Sequence, residues 1–226
     1  MNPFANVQAV TFDAGGTLIQ PWPSVGHVYS EAAAQHGVKH LSPEILNNNF
    51  NAAWRARRDF NHTSDDWAAL VDRTFAGLVD PPPSRSFFPT VYQRFAEPDA
   101  WRIYHDVFPA LDALASKGIL LGVVSNWDER LRPLLRNLKL ESYFDTITVS
   151  CEVAFAKPSP VIFEHAAQKL GVPVEQILHV GDSMSEDVAG AKSAGLHALL
   201  LDRDNTTAVE CQIASLCDIE ALLREP

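Results

Sequence analysis

Five short apolar runs mark the chain, and helical segments alternate with them only in its second half. NVQAVTFD at 6–13 is rich in β-branched residues and stops at Gly15-Gly16, which predicts a buried strand ending in a glycine-permitted turn. From about residue 106 the pattern is regular. A helix over 107–117 closes at Gly118, ILLGVVS follows at 119–125, and a second helix covers 128–138. TITVS (146–150), a helix over 159–170 closing at Gly171, ILHVGD (177–182), a helix over 185–194 closing at Gly195 and HALLLD (197–202) complete the series. A continuous apolar run such as ILLGVVS fits a parallel strand covered on both faces. Strands separated by helices predict a doubly wound parallel α/β sheet with a Rossmann-like core.

Residues 21–104 break the alternation. They predict helices at about 24–36, 42–58, 64–79 and 85–96, interrupted by Gly37, Ser42-Pro43 and Pro81-Pro82-Pro83, with no convincing buried strand. The strand at 6–13 has no partner except the later sheet. The core is therefore expected to be discontinuous, 1–20 with 105–226, and 21–104 to be a helical insertion. Trp22, Trp54 and Trp67 fall in the insertion and are expected to form its core.

Composition narrows the chemistry. A chain of 226 residues buries enough surface to fold without disulfides or metal. With 28 acidic against 18 basic side chains, the formal charge of −10 argues against nucleic acid or anionic membrane as a partner. Cys151, Cys211 and Cys217 form no CxxC pair and read as reduced packing residues in a cytoplasmic protein. Neither a membrane span nor a signal peptide is expected. The expected form is a monomer or weak homodimer.

Ligands of open parallel sheets sit beyond the carboxyl ends of the strands. Asp13, Ser125-Asn126 and Gly181-Asp182 close three predicted strands, and Lys157-Pro158 lies in the loop after a fourth. Two facing aspartates cannot both ionise without a cation between them. Oxygen donors of this hardness suit Mg²⁺ together with a substrate phosphate. Lys157 and Ser125 can then hold phosphate oxygens, and Asp13 can serve as a nucleophile. The plainer readings are a turn cap for Asp13, a helix cap for Asp182 and a dipole contact for Asp187. The eight histidines show no metal spacing.

FDAGGTL (12–18), VVSN (123–126), KPSP (157–160) and GDSMSED (181–187) resemble, in order, the four motifs of the haloacid dehalogenase-like hydrolase superfamily. SNWDERL, YFD and DVAGAKSAG resemble one branch of it. The resemblance covers nearly the whole chain. It implies that Asp13 is nucleophile and Mg²⁺ ligand, that the Gly15 carbonyl and Asp182 complete the metal site, and that Asp187 supports Asp182 and Lys157. It further implies that Lys157 and Ser125 are catalytic, that Ser125, Asn126, Lys157, Thr17 and Gly16 bind substrate, and that the insertion is a substrate-selecting cap. The implied activity is hydrolysis of a small phosphorylated metabolite through an aspartyl-phosphate.

One departure matters. Phosphatases of this superfamily usually carry a second aspartate two residues after the nucleophile, as general acid for the leaving alcohol. Here that position is Gly15. A positioned acid/base contributes ~10²–10⁴-fold. The missing acid leaves three outcomes open. Another acid can substitute (His27, Glu31, His62, Asp65 or Asp66), or the leaving group can be good enough to need none. The reaction can instead be carbon–halogen cleavage, or carbon–phosphorus cleavage, whose related enzymes use a cap lysine; Lys39 is the lone lysine of the insertion. Finally, the chain can be a catalytically impaired phosphate-binding or regulatory protein. Arg55, Arg57 and Arg58 are expected on a solvated helix face.

Overall fold

A computed structural model describes residues 3–58, 60–206 and 211–223. Its strands are β1 (Ala9–Phe12), β2 (Ile19–Pro21), β3 (Trp101–Ile103), β4 (Leu120–Ser125), β5 (Thr146–Val149), β6 (Ile177–Gly181), β7 (His197–Leu201) and β8 (Gln212–Ile213). Six of them form one sheet in the order β5-β4-β1-β6-β7-β8, and every pairing is parallel. All four β1 residues are buried, and Ala9 pairs with Leu120 on one side and Ile177 on the other. The first strand of the chain thus fills the centre of the sheet, as its apolar run requires. β8 was not expected: two residues carry no periodicity.

The helices are α1 (Val25–Gln35), α2 (Pro43–Arg55), α3 (Ser64–Thr74), α4 (Phe88–Arg94), α5 (Val107–Ser116), α6 (Leu131–Asn137), α7 (Ser150–Val153), α8 (Pro160–Leu170), α9 (Gly190–Ser193) and α10 (Asp218–Leu222). α8 lays Ile162, Phe163, Ala166 and Ala167 on the sheet beside Ala9, Val124 and Ile177. It stops at Gly171, whose φ of 68° suits a residue without Cβ. α5 buries Val107, Ala110, Leu111 and Leu114 and packs against β4 and α10. The single helix expected over 185–194 is instead a π-helical turn, Met184–Ala189, followed by α9. Among the described residues no helix is long and apolar enough to cross a membrane.

The chain divides into two compact units, Met1–Ile19 with Ile103–Pro226, and Gln20–Arg102. The second is helical, and its start signals are local. Ser24 and Ser42 cap α1 and α2. A reciprocal Thr63–Asp66 box opens α3 and fixes Asp66 as a structural residue. Its core gathers Tyr29, Leu46, Val71, Phe75, Phe87 and Val91. Trp54 and Trp67 stack at 5.8 Å, half-buried. Trp22 departs from expectation: it is 43% exposed, next to the short β2–β3 ribbon, with Arg102 over its ring at 4.1 Å. The ribbon was itself unexpected, since three-residue strands leave no pattern to read. Arg55 and Arg58 are exposed, whereas Arg57 stacks on Trp54 at 3.6 Å. The three cysteines are exposed, which corrects the packing role expected of them.

Candidate active site at the carboxyl rim of the sheet

β1, β4 and β6 are neighbours and parallel, so Asp13, Ser125 and Asp182 emerge on one rim. Lys157 reaches them from the loop between α7 and α8 and is almost wholly buried. Its Nζ donates to Asp13 Oδ1 at 2.7 Å and to Asp187 Oδ1 at 2.5 Å. Ser125 Oγ donates to the same Asp13 oxygen at 2.9 Å. Two side-chain donors thus fix one oxygen of Asp13.

Behind Lys157 the bonds continue into the sheet. Asp187 Oδ1 also meets His179 Nε2 at 3.1 Å, its Oδ2 accepts from Ser183 N–H at 2.9 Å, and His179 Nδ1 meets Thr11 Oγ1 at 2.9 Å. Asp187 is held ionised against its burial by Lys157 and His179, which depress its pKa far below the usual carboxylate range. Burial lowers the pKa of His179 despite Asp187, so the ring is neutral at pH 7. An ionised Asp187 can only accept, which places the imidazole proton on Nε2 and leaves Nδ1 to accept from Thr11. The sequence reading assigned no role to His179 or Thr11. The signal was present in ILHVGD, where a polar residue interrupts an apolar central strand.

The acidic groups are crowded. One oxygen from each of Asp13, Asp182 and Asp187 lies within 4.8 Å of the others. Burial raises the pKa of Asp13, opposed by Lys157 and reinforced by Asp187. Asp182 keeps an exposed surface, yet the protein packed around it, then the charges of Asp13 and Asp187, push its pKa up to about 7. Lys157 moves the other way: against its burial, the two carboxylates hold it protonated well above the usual lysine range. A divalent ion would relieve this crowding, and carboxylate oxygens are the donors Mg²⁺ takes. Asp13 and Asp182 fit that role; Asp187, with both oxygens bonded to protein donors, is better suited to bracing.

The remaining expected residues are placed as follows. Thr17 is buried, with its hydroxyl 3.4 Å from Asp182 Oδ1. Gly16 has φ 84° and donates its N–H to the Ile19 carbonyl at 2.8 Å; a Cβ there would lie 2.5 Å from Asp182 Oδ2. Gly16 thereby lets the first loop close on Asp182. Asn126 accepts from Lys157 N–H at 2.6 Å and donates to the Lys157 carbonyl at 2.9 Å. The polar groups of Thr17, Gly16 and Asn126 meet protein partners here, as those of Lys157 and Ser125 do. Ser183, not Asp182, caps the π-helical turn. In the helical unit His27, Glu31, Asp65 and Lys39 are exposed, while His62 is buried beside Phe60 and Trp67.

The chain is similar to known proteins over most of its length. The Danio rerio protein named haloacid dehalogenase-like hydrolase domain-containing protein 3 is 32% identical over 208 residues, which cover 87% of this chain and 86% of its own. The crystal structure of a haloacid dehalogenase-family phosphatase from Thermococcus onnurineus superposes with a TM-score of 0.70 at 27% identity, covering 96% of this chain and 98% of that one. A 2-haloacid dehalogenase from Pseudomonas syringae shares the fold at a TM-score of 0.67 and 23% identity, covering 96% and 98% of the two chains. The family description "haloacid dehalogenase-like hydrolase" matches residues 7–195, which spans the rim from before Asp13 to beyond Asp187. On that extent of agreement, the chain belongs to the haloacid dehalogenase-like hydrolase family.

Proposed function

We propose that this hydrolase is a Mg²⁺-dependent phosphatase of a small phosphorylated metabolite, working through a phosphoryl group carried on Asp13. The carrying observation is the double clamp on Asp13 Oδ1 by Lys157 at 2.7 Å and Ser125 at 2.9 Å, which on this reading leaves Oδ2 to attack. Oδ2 attacks phosphorus as the bond to the leaving oxygen breaks, and water then cleaves the acyl-phosphate and regenerates the carboxylate. Asp13 and Asp182, with the Gly15 carbonyl, would hold the metal; when bound, it supplies positive charge that keeps both carboxylates ionised and offsets charge on the transferring group. Lys157 and Ser125 carry phosphate oxygens. Asp187 positions Lys157 by the 2.5 Å bond, and Asn126 grips the Lys157 backbone. The helical unit Gln20–Arg102 serves as the substrate-selecting module.

The test is turnover of aryl and alkyl phosphates in Mg²⁺ and in chelator, with Asp13→Asn as control. Turnover that needs both Mg²⁺ and Asp13 supports the proposal. Mg²⁺ binding without turnover across a broad phosphate panel would mark a catalytically impaired binding protein. Metal-independent halide release from a 2-haloacid would mark a dehalogenase.

A further inference from the structure

Gly15 stands two residues beyond Asp13, and Trp127 two residues beyond Ser125, in the loops that follow the neighbouring parallel strands β1 and β4. Asp13 and Ser125 are already hydrogen-bonded at 2.9 Å. One step further out the two chains meet again, by a different contact. A Cβ built on Gly15 would lie 3.1 Å from Trp127 Cζ3 and 3.8 Å from Cη2, so the six-membered edge of the indole borders the space a side chain at position 15 would enter and crowds its first atom. The backbone beneath that ring is anchored. Trp127 N–H donates to Ser150 Oγ at 3.1 Å, and its carbonyl accepts from Ser150 Oγ at 3.1 Å. Trp127 as a whole is half-buried.

We propose that Trp127 is a specificity-determining residue: its indole replaces the missing side chain at position 15 with an aromatic wall that selects phosphate esters of planar, weakly basic leaving groups over those of aliphatic alcohols. The inference rests on the phosphatase reading above. As Asp13 Oδ2 bonds to phosphorus, the phosphorus–oxygen bond breaks and its electron pair stays on the departing oxygen. The wall carries no titratable group, so position 15 and its neighbour give that oxygen no proton. A phenolate tolerates this and an alkoxide does not. A flat ring also packs on indole with a preference an alkyl chain lacks.

The experiment compares kcat/KM for 4-nitrophenyl phosphate and ethyl phosphate in Mg²⁺. The proteins are wild type, Trp127→Leu, Trp127→Phe, Gly15→Asp and the double variant Gly15→Asp/Trp127→Ala, each checked for a cooperative melt. Trp127→Leu should lower the aryl-to-alkyl ratio about tenfold, chiefly through KM for the aryl ester, whereas Trp127→Phe should hold it within about threefold. Gly15→Asp should gain ethyl phosphate turnover only when Trp127→Ala opens the space. An unchanged ratio in folded Trp127→Leu, or an equal gain in Gly15→Asp alone, overturns the proposal while leaving an Asp13-dependent phosphatase intact. Absence of Asp13-dependent turnover in the wild type fails the phosphatase reading, and this proposal with it.

Discussion

Asp182→Asn should stabilise the protein without metal and lose that advantage once magnesium is added. Asparagine keeps the shape of the side chain and removes its charge. In the metal-free protein Asp182 is pushed up to about 7 from the ordinary 3.8 by protein crowding and by Asp13 and Asp187. At 1.36 kcal/mol per pKa unit the full shift corresponds to about 4 kcal/mol. The carboxylate is solvent-accessible, so screening reduces this to about 1–2 kcal/mol. The sign follows from linkage. The folded state holds a proton that the unfolded chain releases above pH 3.8, so wild-type stability falls as pH rises from 3.8 towards 7, and the variant does not share that loss. In chelator at pH 8 the variant should melt about 2–8 °C higher, and at pH 4 the gap should close. With Mg²⁺ at a hundred times its Kd, the wild type gains about 2.7 kcal/mol, and the variant, short of one ligand, gains less. The order of melting temperatures should then equalise or invert. Circular dichroism melts across pH 4–8, in chelator and in Mg²⁺, read all of this without any substrate. A variant that melts lower than wild type in chelator at pH 8, or that gains as much from Mg²⁺, would refute the reasoning.

Lys157→Met leaves Asp13 and Asp187 facing each other in a buried site and should cost about 3–5 kcal/mol in urea unfolding at pH 7, with turnover abolished. Adding Asp13→Asn should recover part of that stability and none of the turnover. Gly181→Ala would set a Cβ 2.1 Å from Asp187 Cγ; the carboxylate must move off Lys157, so kcat should fall at least tenfold with a stability loss of about 1–3 kcal/mol. Asp106 is buried, and bonds from Arg203 at 2.7 Å, Leu216 N–H at 2.9 Å and Ser215 at 3.0 Å outweigh that burial and lower its pKa. Its contribution is therefore present above the unfolded pKa and lost as pH falls through the lowered folded value. Asp106→Asn should cost about 2–3 kcal/mol at pH 7 and show a flatter acid limb in pH-dependent melts.

The sheet was legible because burial on both faces demands mostly apolar, β-branched runs, and β1, β4, β5, β6 and β7 supply them. Asp13, Ser125 and Asp182 were legible for a related reason: a polar residue closing such a run has only the rim to occupy. Weaker signals failed in proportion to their length. β8 has two residues, and β2 and β3 three each, too few to establish a period. Helix ends moved inward because capping is decided at single positions. α3 stops at Thr74, five residues early, with Gly77 at φ 75° soon after. Trp22 was misjudged because hydrophobicity alone does not reveal that Arg102 covers its ring at the surface. Thr11, His179 and Trp127 are tertiary facts. Each acquires its role from a partner far away in sequence or in a separate loop, and no local pattern encodes that meeting.

Placing the first strand at the middle of the sheet has a consequence for biosynthesis. When β1 leaves the ribosome, neither edge has anything to pair with; β4 arrives about a hundred residues later, and β6 later still. Asp13 meets Ser125 across 112 positions and Lys157 across 144. A nascent chain therefore carries the Asp13 carboxylate beside an unpaired, sticky apolar segment for about half of its synthesis. Hydrolytic competence and escape from aggregation should arrive together, only once the stretch through β6 has been translated.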